Sequence, residues 1–321
     1  MLMALLAMRV FTPNQKMCLV SFSKDKSYSS KQKVDQFDGS PKWGYIDITS
    51  KCSHGCAWCY GGFNEDLNSE MSLNEFRTVL SKLKVMGLHQ ITITGGEPTE
   101  HPQFLQFVAE ATKDFMVHVC SHGDWTQDWA KDLAKLGVSQ IQFNYQGSKR
   151  HDNVHQVLGS YLKQVTAIKQ SIKAGVETVG TVTVGAYNLK DIDGIFKEMS
   201  DLGVTRLRVW EATGKGNKWR KDKEAKEIFD ICKNSASALG FNFVQSYDPD
   251  IVGDVNAHCP AQMQMFMYIN SDSELIFCPA TDQLLNKPIA SFKEDTYQAI
   301  QNKYSAFMNS LSAGTCLARE G

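Results

Sequence analysis

At residues 51–60 the chain reads Lys51-Cys52-Ser53-His54-Gly55-Cys56-Ala57-Trp58-Cys59-Tyr60. This stretch follows a β-branched and apolar run, Tyr45–Thr49, which predicts a strand. The cysteines are spaced C-x3-C-x2-C, so one short loop carries three thiols. Such a loop can bind three corners of a cubane iron–sulfur cluster and leave the fourth iron open for another ligand. The spacing also leaves open a zinc site with His54 as the fourth ligand.

Outward from this loop, short strand-like runs alternate with longer amphipathic segments, a pattern typical of βα units and a mostly parallel sheet. The predicted strands are Tyr45–Thr49, Gln90–Thr94, Met116–Cys120, Gln140–Asn144, Thr178–Val184 and Arg206–Glu211, with Asn242–Gln245 as a candidate seventh. The predicted helices are Leu73–Met86, Gln103–Lys113, Gln127–Leu136, Gly159–Ala174, Leu189–Leu202 and Ala225–Leu239.

Helix boundaries are marked by capping residues. Ser72 and Glu75 have the S-x-x-E spacing of a capping box at the start of the first helix. A glycine follows five of the helices and can take the left-handed conformation that ends them: Gly87, Gly137, Gly175, Gly203 and Gly240. Six βα units fall short of the eight units and about 250 residues of a closed barrel. We therefore expect an α/β fold with a partial (β/α)6 barrel, open like an incomplete TIM barrel.

Three regions are expected: an N-terminal extension at 1–44, the partial barrel at 45–245 and a small C-terminal extension at 246–321. The last region loses the βα rhythm and carries Cys259-Pro260, Cys278-Pro279 and Cys316. Between the first two of these cysteines, Ile269–Phe277 predicts a hairpin with a polar turn.

Composition excludes several classes of protein. The 321 residues carry 34 Lys+Arg against 35 Asp+Glu, and 42% are hydrophobic, so the chain can bury a large core. It has no basic block for nucleic-acid binding and no apolar run of the roughly 20 residues that span a membrane. Its N-terminus lacks a basic n-region and a cleavage site, so no signal peptide is expected. An odd number of cysteines, nine, argues against a disulfide framework. Reduced thiolates that hold a solvent-accessible cluster would belong in a reducing cytosol.

A second motif follows the second predicted strand, Ile93-Thr94-Gly95-Gly96-Glu97-Pro98. Two glycines permit close backbone approach to a ligand, and Glu97 stands beside them as an acceptor. An ordinary glycine-rich βα turn is the alternative.

Together, the three cysteines with Trp58 before the last of them and the Gly-Gly-Glu-Pro turn resemble the radical S-adenosylmethionine (radical SAM) superfamily. The resemblance covers about Tyr45 to Glu211. It implies a [4Fe–4S] cluster on Cys52, Cys56 and Cys59 whose open iron chelates the amino and carboxylate groups of S-adenosylmethionine. One-electron reduction, by a protein such as flavodoxin or ferredoxin, would then cleave the S–C bond and give a 5′-deoxyadenosyl radical that abstracts hydrogen from the substrate.

The same resemblance assigns cofactor contacts. Gly95, Gly96 and Glu97 would contact the methionine amino group, Trp58 would lie beside the adenine, and Arg208 would receive the methionine carboxylate, for which a guanidinium is suited. Other polar residues that follow strands are candidates to line the pocket: Ser121, His122, Asn144 and Thr183. Glu211 and Tyr145 are candidates for moving protons or electrons, with ordinary packing as the alternative for both, and His122 is a further pocket candidate.

The C-terminal cysteines Cys259, Cys278 and Cys316 resemble the twitch subdomain, a shortened form of the SPASM auxiliary-cluster extension in the same superfamily. The resemblance implies a second [4Fe–4S] cluster. Such extensions often have a further cysteine shortly after the position of Cys316, where this chain has none. The remaining cysteines are expected to pack as small apolar side chains: Cys18, Cys120 and Cys232.

For the substrate, we expect a peptide or protein side chain. The SPASM-like order and Leu158-Gly159-Ser160-Tyr161 resemble peptide maturases, but the region before the barrel is too short for a leader-recognition domain, so a separate recognition protein is expected. The alternative is a small-molecule dehydrogenase, rearrangement enzyme or cyclase in cofactor or natural-product synthesis. A non-catalytic zinc module is the third hypothesis.

Overall fold

Ten strands form one sheet in the order β10-β9-β8-β1-β2-β3-β4-β5-β6-β7. The computed structural model describes residues 41, 43–59, 61–63, 69–185, 187–212, 225–245, 266–278 and 287–310, and all of them fall in one unit, Phe37–Gly321. The strands are β1 Trp43–Asp47, β2 Gln90–Thr94, β3 Met116–Ser121, β4 Gln140–Asn144, β5 Glu177–Val184, β6 Arg206–Glu211, β7 Asn242–Gln245, β8 Phe266–Ile269, β9 Glu274–Ile276 and β10 Ala290–Ser291.

Strands β1 to β7 pair in parallel and in chain order, as the alternating pattern predicts. β8 pairs in parallel with the other side of β1, and β9 and β10 continue from it antiparallel. The helices are α1 Leu73–Val85, α2 Phe104–Ala111, α3 Trp129–Lys135, α4 His151–His155, α5 Ser160–Lys173, α6 Ile192–Asp201, α7 Ala225–Ala238 and α8 Tyr297–Ser310. Two short 3-10 helices lie at Pro98–Glu100 and Leu189–Asp191.

For most of the elements, the predicted boundaries hold. The capping box of Ser72 and Glu75 is present at α1. The five glycines predicted to end helices all have positive φ, between 73° and 87°. The predicted hairpin is formed by β8 and β9.

Some elements differ from the sequence prediction. β1 lies two residues earlier than expected, because Thr49 leaves the ladder and bridges Glu70 instead. The helix predicted at Leu189–Leu202 begins as a 3-10 turn before α6. The helix α4 was not predicted. The division of the chain into three regions stays a prediction, and most of 1–44 lies outside the described residues.

One face of the sheet is apolar and packs on the helices, through residues such as Ile46, Ile93 and Phe143. The opposite face carries the alternate positions, many of which are polar. On that face Arg208 Nη1 of β6 lies 3.5 Å from Tyr45 Oη of β1. Four strands separate β1 from β6, and in a flat sheet they would lie about 24 Å apart. The sheet therefore curls around its polar face, and we call the enclosed space the lumen.

The curled sheet confirms the partial barrel with an open edge. Within the described part of the chain, the helices are all too short or too polar to cross a membrane.

Candidate functional site

The cysteine loop follows β1 at the carboxyl edge of the sheet. Cys52, Cys56 and Cys59 are each partly exposed, and none of them is in a disulfide. Cys59 donates its backbone N–H to the Cys56 carbonyl at 3.0 Å, which turns the loop between them. Burial raises the pKa of Cys56 to about 12 and also raises that of Cys52. A metal that binds these thiols must therefore displace protons.

The spacing of the three sulfur atoms bears on which metal group they fit. Two thiolates of one tetrahedral zinc ion lie roughly 3.8 Å apart, given a Zn–S bond of about 2.3 Å. Within the described ranges, the three sulfurs do not all lie within 4.8 Å of one another. A cubane cluster binds each thiolate to a different iron, so a wider separation suits it. The three sulfurs thus do not form the compact set that a single zinc ion needs.

A different trio does come together. The ligand atoms of His54, Cys56 and His155 lie within 4.8 Å of one another, the one such group among the residues that the structure describes. His54 therefore faces another histidine rather than completing a set of three cysteines. His155 lies in α4, a helix that was not predicted from the sequence.

The Gly-Gly-Glu turn packs on the backbone of the cysteine loop. Gly96 donates its N–H to the Thr49 carbonyl and Glu97 to the Lys51 carbonyl, both at 2.8 Å. A β-carbon on Gly95 would overlap the carbonyl oxygen of Thr49, and one on Gly96 would overlap that of Lys51. The close backbone approach that the glycines permit is thus to the segment that leads into the first cysteine.

Glu97 is 1% exposed and joins the ends of β2 and β3. Its carboxylate accepts hydrogen bonds from the Ser121 hydroxyl and the His122 backbone N–H, both at 2.8 Å. It also accepts from the Thr99 backbone N–H at 3.2 Å. These bonds fix the carboxylate directly beside the cysteine loop.

Trp58 lies between two other rings. It stacks on Tyr187 at a centroid distance of 5.7 Å with planes 6° apart, and meets the edge of His155 at 5.2 Å. Tyr187 follows β5 closely and donates its hydroxyl to the Thr183 carbonyl at 2.5 Å. Tyr187 was not predicted from the sequence, although an aromatic residue just after a parallel strand could have indicated it.

Buried histidines fill the space between these loops. The rings of His54 and His122 stack at 3.7 Å with planes 4° apart. Burial lowers the pKa of His54 to about 4, and the nearby His122 adds to this. Burial opposes charge on His122 as well, but Glu97 and Glu100 outweigh it and raise the pKa of His122. His122 is thus positioned to carry the positive charge of the pair.

Other predicted pocket residues lie on the lumen side. Asn144 donates to the Thr183 hydroxyl at 3.0 Å, which joins β4 to β5. Arg208 donates to the Gln142 side-chain oxygen at 2.9 Å. Cys120 is partly exposed, so it is not simply a core residue as predicted. Burial raises its pKa to about 12.

A buried carboxylate in the lumen was not predicted. Asp47 of β1 is 2% exposed, and it accepts a hydrogen bond from the Tyr268 hydroxyl at 2.8 Å. The two residues are distant in sequence and meet because β8 pairs with β1.

Two candidates for proton or electron movement lie elsewhere or are not described. Tyr145 is fully buried in the core and donates to Glu198 of α6 at 2.8 Å. Glu211 ends β6, and its side chain lies outside the described residues. Of the C-terminal cysteines, Cys278 directly follows the β8–β9 hairpin, whereas Cys259 and Cys316 also lie outside the described residues.

Comparison with known proteins finds a family model and relatives that match this part of the chain. Residues 46–199 match the family model of the Radical SAM superfamily. The sporulation killing factor maturation protein SkfB of Bacillus subtilis is 24% identical over 174 residues, which cover 53% of this chain and 42% of SkfB. The tungsten-containing aldehyde ferredoxin oxidoreductase cofactor-modifying protein of Pyrococcus furiosus is 33% identical over 182 residues, which cover 52% of this chain and 51% of that protein.

The fold is also similar to that of a solved structure. Streptococcus suis SuiB bound to its precursor peptide SuiA superposes with a TM-score of 0.71 over 87% of this chain and 69% of that chain, at 15% identity. An identity this low supports the fold alone. The chain spans about half the length of the curated relatives that it matches.

Proposed function

We propose, from the match of residues 46–199 to the family model of the Radical SAM superfamily, that this chain is an enzyme that reductively cleaves S-adenosylmethionine and modifies a side chain of a peptide or protein. The observation that carries the chemistry is the cysteine loop, whose three sulfurs do not form the compact set that a single tetrahedral ion needs. The loop is held by the Gly-Gly-Glu turn through two backbone hydrogen bonds.

In this proposal Cys52, Cys56 and Cys59 hold a [4Fe–4S] cluster. When bound and reduced, that cluster supplies the electron that converts S-adenosylmethionine to the hydrogen-abstracting 5′-deoxyadenosyl radical. Glu97 is fixed beside the loop, where its carboxylate can orient the methionine amino group. Trp58 offers the adenine an aromatic neighbour that is itself supported by Tyr187.

The substrate is proposed to enter the lumen. Residues that face it from several strands remain partly exposed: Tyr45, Cys120, Asn144 and Arg208. They supply hydrogen-bond donors and acceptors with one cation, which suits a polar group such as a peptide backbone or side chain. Polar walls would hold that group while the apolar outer face of the sheet stays packed on the helices.

A relative and a protein of similar fold make a peptide substrate the first candidate. SkfB, the relative, is by name a maturation protein for a killing factor, and SuiB, which shares the fold, was solved with a precursor peptide. We further propose a twitch-like second cluster that includes Cys278, a separate peptide-recognition protein, a flavodoxin or ferredoxin as reductant, and a cytosolic location. The β8–β9 hairpin that precedes Cys278 supports the second cluster.

A small-molecule substrate is the second candidate. The specific observation in its favour is the Pyrococcus furiosus relative, which is by name a cofactor-modifying protein and has the higher identity, 33%. The polar lumen would accept such a substrate as readily as a peptide side chain.

The activity is tested by anaerobic reconstitution with iron and sulfide, followed by dithionite, S-adenosylmethionine and chromatography for 5′-deoxyadenosine. We expect the product from the native chain and from Cys232→Ala, whose thiol is buried in α7, but none from Cys52→Ala. A colourless, zinc-loaded chain that never cleaves S-adenosylmethionine would refute the proposal.

The substrate class is tested separately. We expect a short reading frame for a precursor peptide beside the gene, and a mass change in that peptide on coexpression with the native chain but not with Cys52→Ala. An unchanged peptide, together with 5′-deoxyadenosine formation driven by a small metabolite, would favour the second candidate.

A further inference from the structure

The short helix α4 packs directly against the cysteine loop. Gly55 donates its backbone N–H to the His155 carbonyl at 3.1 Å, and Ala57 donates to the Val154 carbonyl at 3.0 Å. The last carbonyls of a helix have no partner within it, so the two amides that flank Cys56 satisfy them. α4 thereby fixes the position of Cys56 from behind.

The side chain of His155 reaches the sulfur of this cysteine. Its Nδ1 lies 3.5 Å from Cys56 Sγ and 3.1 Å from His54 Nδ1. His54 Nε2 in turn lies 3.5 Å from a carboxylate oxygen of Asp124. The other oxygen of Asp124 pairs with Lys163 Nζ at 2.6 Å.

The positions of the protons follow from these neighbours. The carboxylate of Asp124 can only accept, so the proton of a neutral His54 lies on Nε2 and its Nδ1 is an acceptor. We assign the proton of His155 to Nδ1, since two bare nitrogens would otherwise face each other. That N–H lies against both the His54 nitrogen and the Cys56 sulfur. Both rings are buried, which favours their neutral forms.

We propose that Asp124, His54 and His155 form a hydrogen-bond chain that ends on Cys56 and sets the reduction potential of the cluster that Cys56 holds. This inference rests on the proposed function. Reduction adds negative charge to a cluster and its thiolates, and an N–H directed at a ligand sulfur stabilises that charge. Loss of the N–H therefore makes the cluster harder to reduce. His155 acts through the thiolate and is a positioning residue, as partners behind metal ligands commonly are.

The test is an anaerobic redox titration followed by electron paramagnetic resonance on the reconstituted chain. It is done in a Cys278→Ala background so that the proposed second cluster adds no signal. His155→Phe keeps a flat ring without the N–H, and we expect a more negative potential with unchanged iron content. His155→Asn places an amide N–H near the same position, and we expect it to restore the native potential. His118→Gln, a buried histidine change on β3, serves as the control and should leave the potential unchanged.

A second variant covers failure of the phenylalanine variant to fold. His155→Leu also removes the N–H but with a smaller and more flexible side chain, and a shift in the same direction is expected. An unchanged potential in a fully loaded His155→Phe or His155→Leu protein overturns the inference. The inference is also overturned if the chain binds one zinc ion that is lost when His155 is replaced, because His54, Cys56 and His155 would then form a zinc site. Iron content and 5′-deoxyadenosine formation report on the proposed function, whereas the potential reports on this inference.

Discussion

Tyr268 donates a 2.8 Å hydrogen bond to Asp47 across the junction of β8 and β1. Burial raises the pKa of Asp47 to about 7, and the hydrogen bond from Tyr268 opposes this only in part. The structure thus keeps a carboxyl group that titrates near neutral pH inside the lumen.

The first prediction concerns the pH dependence of stability. The pKa of Asp47 is higher in the folded chain than the value of 3.8 expected when unfolded, so the folded state binds the proton more tightly. The resulting stabilisation of the folded state is at most about 4 kcal/mol. It is fully present below about pH 4 and is lost as the pH rises to about 7. In urea unfolding of the reconstituted chain, Asp47→Asn should reduce the fall of the unfolding free energy over this pH range. Asp201→Asn, which changes an exposed ion pair with Lys197, should leave the pH dependence of the unfolding free energy unchanged. Equal slopes in native and Asp47→Asn proteins would contradict the prediction.

The second prediction concerns the Gly-Gly turn. Gly96→Ala forces a β-carbon onto the Lys51 carbonyl, so the backbone that leads into Cys52 must shift. We expect a loss of roughly 1–3 kcal/mol in stability and less bound iron after reconstitution. Gly194→Ala is the matched control, because a β-carbon there meets nothing within 4 Å. In the interior of a helix such as α6, alanine is more stable than glycine by up to about 1 kcal/mol. Native iron content in Gly96→Ala would show that the contact does not position the cysteines.

The third prediction concerns the ring that supports Trp58. Tyr187→Leu removes the stack on Trp58, and Tyr187→Phe keeps it. An aromatic pair contributes about 0.5–1.5 kcal/mol, so the leucine variant should bind S-adenosylmethionine about 2- to 10-fold more weakly in equilibrium dialysis with the reconstituted protein. The phenylalanine variant should bind as the native chain does. If the two variants have equal affinities, the stack plays no part in binding.

The fourth prediction concerns the second cluster. Cys278→Ala should lower the iron content from roughly eight to roughly four per chain while 5′-deoxyadenosine formation persists. Cys232→Ala, at a buried thiol in α7, should keep the native iron content. An iron content of roughly four per native chain would contradict the prediction, because it would account for the first cluster only.

Local sequence patterns predict most of the fold. The strands β2, β4, β6 and β7 have the bounds expected from their β-branched runs, and the left-handed glycines end the helices as expected. Alternation and capping are local properties, so no knowledge of distant contacts is needed. The cysteine loop and the Gly-Gly-Glu turn are predictable because they are short and specific.

Other parts of the site depend on contacts that sequence patterns do not contain. Asp47 meets Tyr268 only because β8 pairs with β1, and a short run such as β8 does not specify its neighbour. The helix α4 has five residues, His151–His155, too few to show a helical period. Its histidines therefore give no sign in the sequence that one of them reaches Cys56.

The pairing of β8 with β1 also limits how the protein can be divided for study. With β2 on one side and β8 on the other, β1 has no open edge. A fragment that stops after Gln245 would expose the amides and carbonyls along β1, which invites association with other sheet edges and aggregation. The strand that leads into the cysteines thus needs the C-terminal residues as its hydrogen-bonding partner, whatever else those residues bind.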